Sequence, residues 1–291
     1  GIRDFCLSRG LGDVYKRQNP HNGNDFPDSV LINETVKKGD NIRLSGQDYK
    51  FGETVVKGGM LIDPPIVGAI ASFGINEVNV IRKPLVSVIS TGNELVMPGD
   101  KLKEGQIFDS NSFAISAAIK NSGADFKMHR ILSDNKEDVD KLYEDCSQSD
   151  LIVTIGGVSK GDFDLIRDAI SSKGSIDFWG INMKPGKPLA FGQVKIKGKN
   201  LFHIGLPGNP VSSYVCFELF IRPVLLKMQG IKNIHRKKVS AKINTDINNN
   251  DGRRSYTRVN IKKDKELGLS LIHISEPTRQ AEISYAVFCL K

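Results

Sequence analysis

Residues 150–164 read DLIVTIGGVSKGDFD, and this stretch decides the fold. Leu151 to Ile155 run apolar or β-branched without alternation, as in a strand buried on both faces. Gly156-Gly157 breaks the run, and DLIRDAISS follows as a helix from Asp164. The same grammar recurs on either side. LVSVIS (85–90) enters Ser90-Thr91-Gly92-Asn93-Glu94, and LFHIGLPGNP (201–210) enters a long helix that Asn209-Pro210 opens and that ends near Gly230. Between them, Asp109-Ser110-Asn111-Ser112 offers N-caps to FAISAAIKNSG, whose Ile115, Ala118 and Ile119 share one face. Asp134 and Glu137 have capping-box spacing ahead of Val139, Leu142, Tyr143 and Cys146 at i, i+3, i+4, i+7. Strands alternating with helices over residues 85–229 predict an α/β domain of three layers, α/β/α, around a mostly parallel sheet.

Outward from this domain the grammar changes. From Asp28 to Arg82 the text is strand-like and rich in turns (VLINETV, NIRLSGQDY, FGETVV), punctuated by Lys38-Gly39-Asp40 and Lys57-Gly58-Gly59. Pro64-Pro65 opens a short helix with Ile66, Ile70 and Phe73 at helical spacing; Gly74 stops it, and EVNVIRKP reads as a strand. After residue 236 a β pattern returns in KKVSAKINTDI and RSYTRVNIKK. Residues 1–18 and 269–291 show no periodicity that joins them to their neighbours, and DVYKRQ and SLIHISEPTRQ resemble translated sequencing-adapter sequence. The expected organisation is therefore a non-native tail (1–18), a β-rich subdomain end and linker (19–84), the α/β domain (85–229), the start of a further β-rich subdomain (230–268) and a second non-native tail (269–291).

Composition bounds the function. The chain of 291 residues is 39% hydrophobic and 25% charged, as ordinary soluble domains are. Lys plus Arg exceeds Asp plus Glu by 41 to 33, a net charge of +8, but the charge is dispersed and no basic block carries interleaved aromatics, so a nucleic-acid tract is not expected. No apolar run approaches the roughly 18 residues of a membrane span, and the opening stretch has no apolar signal core. Four cysteines without close or metal-ligand spacing point to a reducing cytoplasm.

The chemistry concentrates in loops that follow strands: residues 90–94, Gly156 to Asp164, Lys184-Pro185-Gly186-Lys187-Pro188, and Leu206 to Pro210. In an open α/β sheet such loops share the carboxyl edge, where ligands bind. Glycines let main-chain N–H groups approach an anion, helix N-termini add a positive dipole, and Lys184 and Lys187 add full charges. Glu94 and Asp164 among such elements suit a divalent cation bridging protein and phosphate. Each feature also has a plainer reading: Asp134 and Asp164 as N-caps, Glu94 as a first-turn dipole partner, the lysines as surface charge. Taken together the loops predict one electropositive pocket for an anionic, phosphorylated ligand with a metal. His203, in an apolar strand, reads as a core residue.

SVISTGNELVMPGD, GQIFDSNSFAI, TIGGVSKGDFD, MKPGKPLAFG and LFHIGLPGNPVSSYVCFEL, in this order, resemble the molybdopterin molybdenumtransferase family, to which MoeA and the E domain of gephyrin belong. The resemblance spans nearly all of residues 19–268. It implies an enzyme of molybdenum cofactor synthesis that takes adenylylated molybdopterin and molybdate, cleaves the adenylate with a divalent cation (usually Mg²⁺) and inserts molybdenum. It further implies Glu94, Asp134, Asp164, Lys184 and Lys187 as catalytic, with Glu94 and Asp164 holding the metal. Substrate contacts would come from Thr91, Gly92, Asp109, Asn111, Gly156, Gly157, Val158, Ser159, Gly161, Gly186, Pro207, Gly208, Asn209, Pro210 and Arg258. The family pattern carries a lysine at the position of Gly180 in some members, and its N-terminal portion and most of its C-terminal subdomain have no counterpart here, which implies a gene fragment. A homodimer is implied for the full-length protein, together with contacts to other cofactor-synthesis enzymes. Two other readings stand beside it: a related molybdopterin adenylyltransferase, which carries GGTG where this chain has GGVS, and a non-catalytic binding or scaffold module on the same fold.

Overall fold

The computed structural model describes residues 37–40, 42–129, 136–157, 174–237, 242–243, 252–264, 268–274 and 287–290. Two compact units are distinguished, residues 1–60 and residues 61–291.

In the first unit the strands expected over 42–56 are not formed: the described residues are turns and extended coil. The physical reason is local. The side chains of Asp40, Gln47 and Glu53 each accept a hydrogen bond from the main-chain N–H three residues earlier, at Lys37, Leu44 and Lys50. Such loops close the chain on itself and compete with a ladder.

In the second unit helix α1 (Pro64–Ser72) forms as the Pro-Pro start predicts, with the Asp63 carboxylate accepting from the Ile66 N–H at 3.1 Å. The strand expected at 77–82 is absent; Val78, Val80 and Ile81 lie exposed with no ladder partner assigned. Arg82 instead clamps this segment to the domain, donating two bonds to Asp150.

The domain follows, in chain order, as β1 (Leu85–Ser90), β2 (Leu95–Val96), β3 (Ile107–Phe108), α2 (Asn111–Asn121), β4 (Asp125–Met128), α3 (Lys136–Asp145), β5 (Leu151–Ile155), β6 (Gly174–Trp179), β7 (Met183–Lys184), β8 (Ala190–Ile196), β9 (Lys199–Leu206), α4 (Pro210–Cys216), a π-helical turn (Phe217–Ile221) and α5 (Arg222–Met228). Six strands make one sheet in the order β4-β1-β5-β9-β8-β6. The first four run parallel. β8 and β6 add an antiparallel edge because Lys197-Gly198, both at positive φ, close a two-residue hairpin between β8 and β9.

Each face of this sheet carries its own core. Val86, Val88, Val153, Ile155 and Leu206 pack with Ile115 and Ile119 of α2 and with Val215, Phe217 and Leu225 of the C-terminal helical run. Ile89, Ile152, Val194 and Leu201 pack instead with Tyr143 of α3 and Cys146 just beyond it. The three layers are thus α2 with α4–α5, sheet, and α3, and each buried aliphatic side chain contributes about 2 kcal/mol. The long helix expected after Asn209 is interrupted by its π-helical turn. Pro223, one residue into α5, has no N–H to donate and its ring crowds the carbonyl of Leu219, so the preceding turn widens.

A second sheet joins β10 (Lys242–Ile243), β12 (Gly268–Ile274), β11 (Arg254–Asp264) and β13 (Val287–Leu290), with β7 pairing parallel to β11. Residues 268–274 and 287–290 therefore do join their neighbour as strands, against the sequence expectation. The alternation of Leu269 and Leu271 with Ser270 is the short-range signal for it.

Candidate functional site

The carboxyl tips of β1, β5 and β9 are laced together by main chain. The Thr91 N–H donates to Ile155 O at 3.0 Å, and the Gly156 N–H donates to Leu206 O at 3.0 Å. Gly156 sits at φ +89°, and a Cβ there would lie 2.6 Å from Thr91 O, so only glycine fits between the tips. Gly208 packs onto Gly156 from the next loop. Above these tips, β2 and β3 form a short ribbon, with Ile107 N–H donating to Glu94 O and Asp109 N–H to Val96 O.

The ribbon, the tips and the start of α2 enclose a cleft of about 530 Å³ lined by Ser90, Thr91, Glu94, Leu95, Ile107, Phe108, Asp109, Ser110, Asn111, Ile155, Gly156, Gly157, Gly208 and Pro210. Two caps set its rim. The Asp109 carboxylate, 2% exposed, accepts from the Ser112 N–H at 3.0 Å and the Ser112 hydroxyl at 2.6 Å, holding the first turn of α2. Asn209 Oδ1 accepts from the Ser212 N–H at 3.1 Å and so caps α4, while Ser213 Oγ donates to Pro207 O. Asn111 Nδ2 then donates to Gly208 O at 2.7 Å and ties one rim to the other.

Of the residues singled out from the sequence, Thr91, Glu94, Asp109, Asn111, Gly156, Gly157, Gly208 and Pro210 line this cleft. The Glu94 carboxylate folds back over Gly92, within 2.6 Å of where a Cβ there would stand. Pro207 and Asn209 shape the β9 loop from outside the lining. Leu95, Ile107, Phe108 and Ile155 are lining residues that sequence reasoning did not place at the site, and Ser90 and Ser110, within stretches read from the sequence, had been given no contact of their own. The ribbon carrying three of them depends on pairing across residues 97–106, which no local pattern announces.

Lys184 and Lys187 fall elsewhere. Their loop does reach the carboxyl edge, since Ala190 pairs with Gly205. Gly186 is buried against Cys216 Sγ and Met183, however, and both lysines are exposed and outside the described lining. Among the described lining residues the charged side chains are Glu94 and Asp109, and the β5 loop expected to add Lys160 and Asp164 lies outside the described residues. Arg258 lies on β11 opposite Val287. Asp134, Val158, Ser159, Gly161 and Asp164 lie outside the described residues.

His203 is a core residue, as read from the sequence. It is fully buried, burial pushes its imidazole down to about 3, and its Nδ1 has no hydrogen-bond partner. His129, at the end of β4, bonds Ser87 Oγ at 2.9 Å through Nε2, and burial first of all lowers its pKa.

Residues 87–227 match the family described as a probable molybdopterin binding domain. The molybdopterin molybdenumtransferase of Haemophilus influenzae is 38% identical over 205 residues, which is 70% of this chain and 50% of that protein. The molybdopterin molybdenumtransferase 2 of Mycobacterium tuberculosis is 35% identical over 238 residues, 79% of this chain and 58% of that protein. The chain is a homologue of the molybdopterin molybdenumtransferases. Two structures of the molybdopterin biosynthesis MoeA protein from Pyrococcus horikoshii superpose with TM-scores of 0.65 and 0.62, at 33% and 26% identity. They cover 84% and 87% of this chain, which matches 59% and 60% of theirs. The chain thus spans between 50% and 58% of the length of these two curated molybdenumtransferases. No helix among the described residues is long and apolar enough to cross a membrane.

Proposed function

We propose that the cleft binds molybdopterin and serves the molybdenumtransferase reaction: insertion of molybdenum from molybdate into adenylylated molybdopterin, with cleavage of the adenylate. The observation that carries this reading is the lacing of three strand tips beneath the N-terminus of α2, a built edge pocket of the size a pterin nucleotide needs. The relatives at 35–38% identity bear the activity in their names.

A divalent cation fits what is there. Among the described residues no three His, Cys, Asp or Glu side chains converge as a metal cage. Mg²⁺ needs none, since it is typically held by one or two carboxylates and by substrate phosphates. Glu94 would be the protein ligand in the cleft, because Asp109 is committed to Ser112. When bound, the ion neutralises charge that develops on the phosphoryl oxygens during cleavage. The chain's own part is to orient the ligand: glycine main chain at the floor, helix dipole at one rim, apolar ribbon at the other. Asp164, Lys184 and Lys187 complete the proposed machinery as metal ligand and anion contacts.

The test is to mix the purified chain with adenylylated molybdopterin, Mg²⁺ and molybdate, following pterin fluorescence for binding and AMP for cleavage. Binding is expected, and Glu94→Gln is expected to retain it while lowering AMP release at least tenfold relative to the parent chain. A parent chain that leaves pterin fluorescence unchanged at tens of micromolar refutes the proposal.

A further inference from the structure

Ser90 closes β1 at the floor of the cleft. Its residue is 2% exposed, and its hydroxyl is buried with no hydrogen-bond partner. Strand alternation sets its direction. Val86 and Val88 pack in the core under α2 and α4, whereas Ser87 and Ile89 face the α3 side, where Ser87 bonds Ser149 at 2.7 Å. Ser90 shares the face of Val86 and Val88. That is the face on which Asn111 and Pro210, at the starts of α2 and α4, border the cleft. Buried hydroxyls are nearly always satisfied, so an orphan at the floor of a ligand cleft marks a bond that forms when the cleft fills.

The surroundings select the kind of group it meets. Leu95, Ile107 and Phe108 supply an apolar wall, Gly156 and Gly157 a flat backbone floor, and Glu94 a negative charge. An apolar wall and an anion repel a bare phosphate and accept a flat, uncharged heterocycle with polar edges. A serine hydroxyl both donates and accepts, and so matches such an edge.

We propose that Ser90 is a positioning residue whose hydroxyl hydrogen-bonds the polar edge of the ligand's heterocycle, seating the ring between the glycine floor and the β2–β3 ribbon. This rests on the molybdopterin reading of the same cleft. Ser116 provides an internal control. It is equally buried on α2 and equally unpartnered, but it lies outside the lining.

The experiment titrates the chain with adenylylated molybdopterin and, separately, with unsubstituted pterin and with inorganic phosphate, and records a thermal melt without ligand. Ser90→Ala is expected to weaken both pterin-containing ligands on the order of five- to tenfold, to leave phosphate unaffected, and to leave the ligand-free melt unchanged or raised. Ser116→Ala is expected to match it in the melt and to bind as the parent does. If the parent binds both pterins and Ser90→Ala binds them equally well, the assignment of Ser90 is overturned while the molybdopterin reading stands. If Ser90→Ala weakens phosphate as much as pterin, the heterocycle is overturned as its partner. A parent chain that binds no pterin removes both proposals.

Discussion

Gly156 lies at the meeting point of the three strand tips, and its missing side chain is a condition of the site. A methyl group there would meet Thr91 O at 2.6 Å on a backbone at φ +89°, a conformation that L-residues reach only under strain. Gly156→Ala is expected to cost about 1–3 kcal/mol in urea unfolding and to abolish pterin binding, because relief comes only by parting β1 from β5. A variant as stable as the parent would show that the tips are looser than drawn. The glycine loops were legible in the sequence, since glycine pairs after buried strands have few other uses. Ser90 was not: that a hydroxyl lacks a partner is a property of its neighbours in space. The lysines were legible as charge on a loop that reaches the carboxyl edge, whereas the packing of Gly186 on Cys216 and Met183 between them is a tertiary contact with no local signature.

Elements divide into those fixed locally and those fixed by pairing. The starts of α1, α2 and α4 follow from Asp63, Asp109 and Asn209, each accepting the N–H three residues on. Asp109→Ala is expected to lose about 1–2 kcal/mol through the freed Ser112 N–H and hydroxyl, and to weaken ligand binding because the rim of the cleft frays. Asn209→Ala, outside the lining, is expected to cost a similar amount with a smaller effect on binding. Equal losses of binding from the two would show that the rim acts only through overall stability. Segments 42–56 and 77–82 had strand composition but found no ladder, and the former satisfied its main chain through i, i+3 side-chain bonds instead. Composition reports what a segment tolerates; a partner edge decides what it becomes. The hairpin at Lys197-Gly198 and the ribbon of β2 with β3 were missed for the converse reason, a pairing with little local signature.

For the molecule as a whole, the two cores on either face of one sheet were anticipated by the unbroken apolar run of β5 and the strand–helix alternation around it. One core contains a group that makes stability depend on pH. His203 titrates near 6.5 when unfolded, but burial holds it neutral in the fold down to about 3. The folded state therefore resists taking up its proton. The stabilisation is complete above pH 6.5 and is lost as pH falls towards 3, reaching about 3 kcal/mol of loss at pH ~4. Urea midpoints measured from pH ~7 to ~4 are expected to fall in the parent and to fall less in His203→Gln. Parallel profiles would assign acid sensitivity to the carboxylates.

The ties between neighbouring strand tips have a consequence for how a ligand is met. Thr91 on Ile155, Gly156 on Leu206 and Asn111 on Gly208 fasten the described residues of this mouth to one another. For these described residues, capture is docking onto a surface already fastened, with little ordering entropy to offset, so tighter binding through them must come from added contacts.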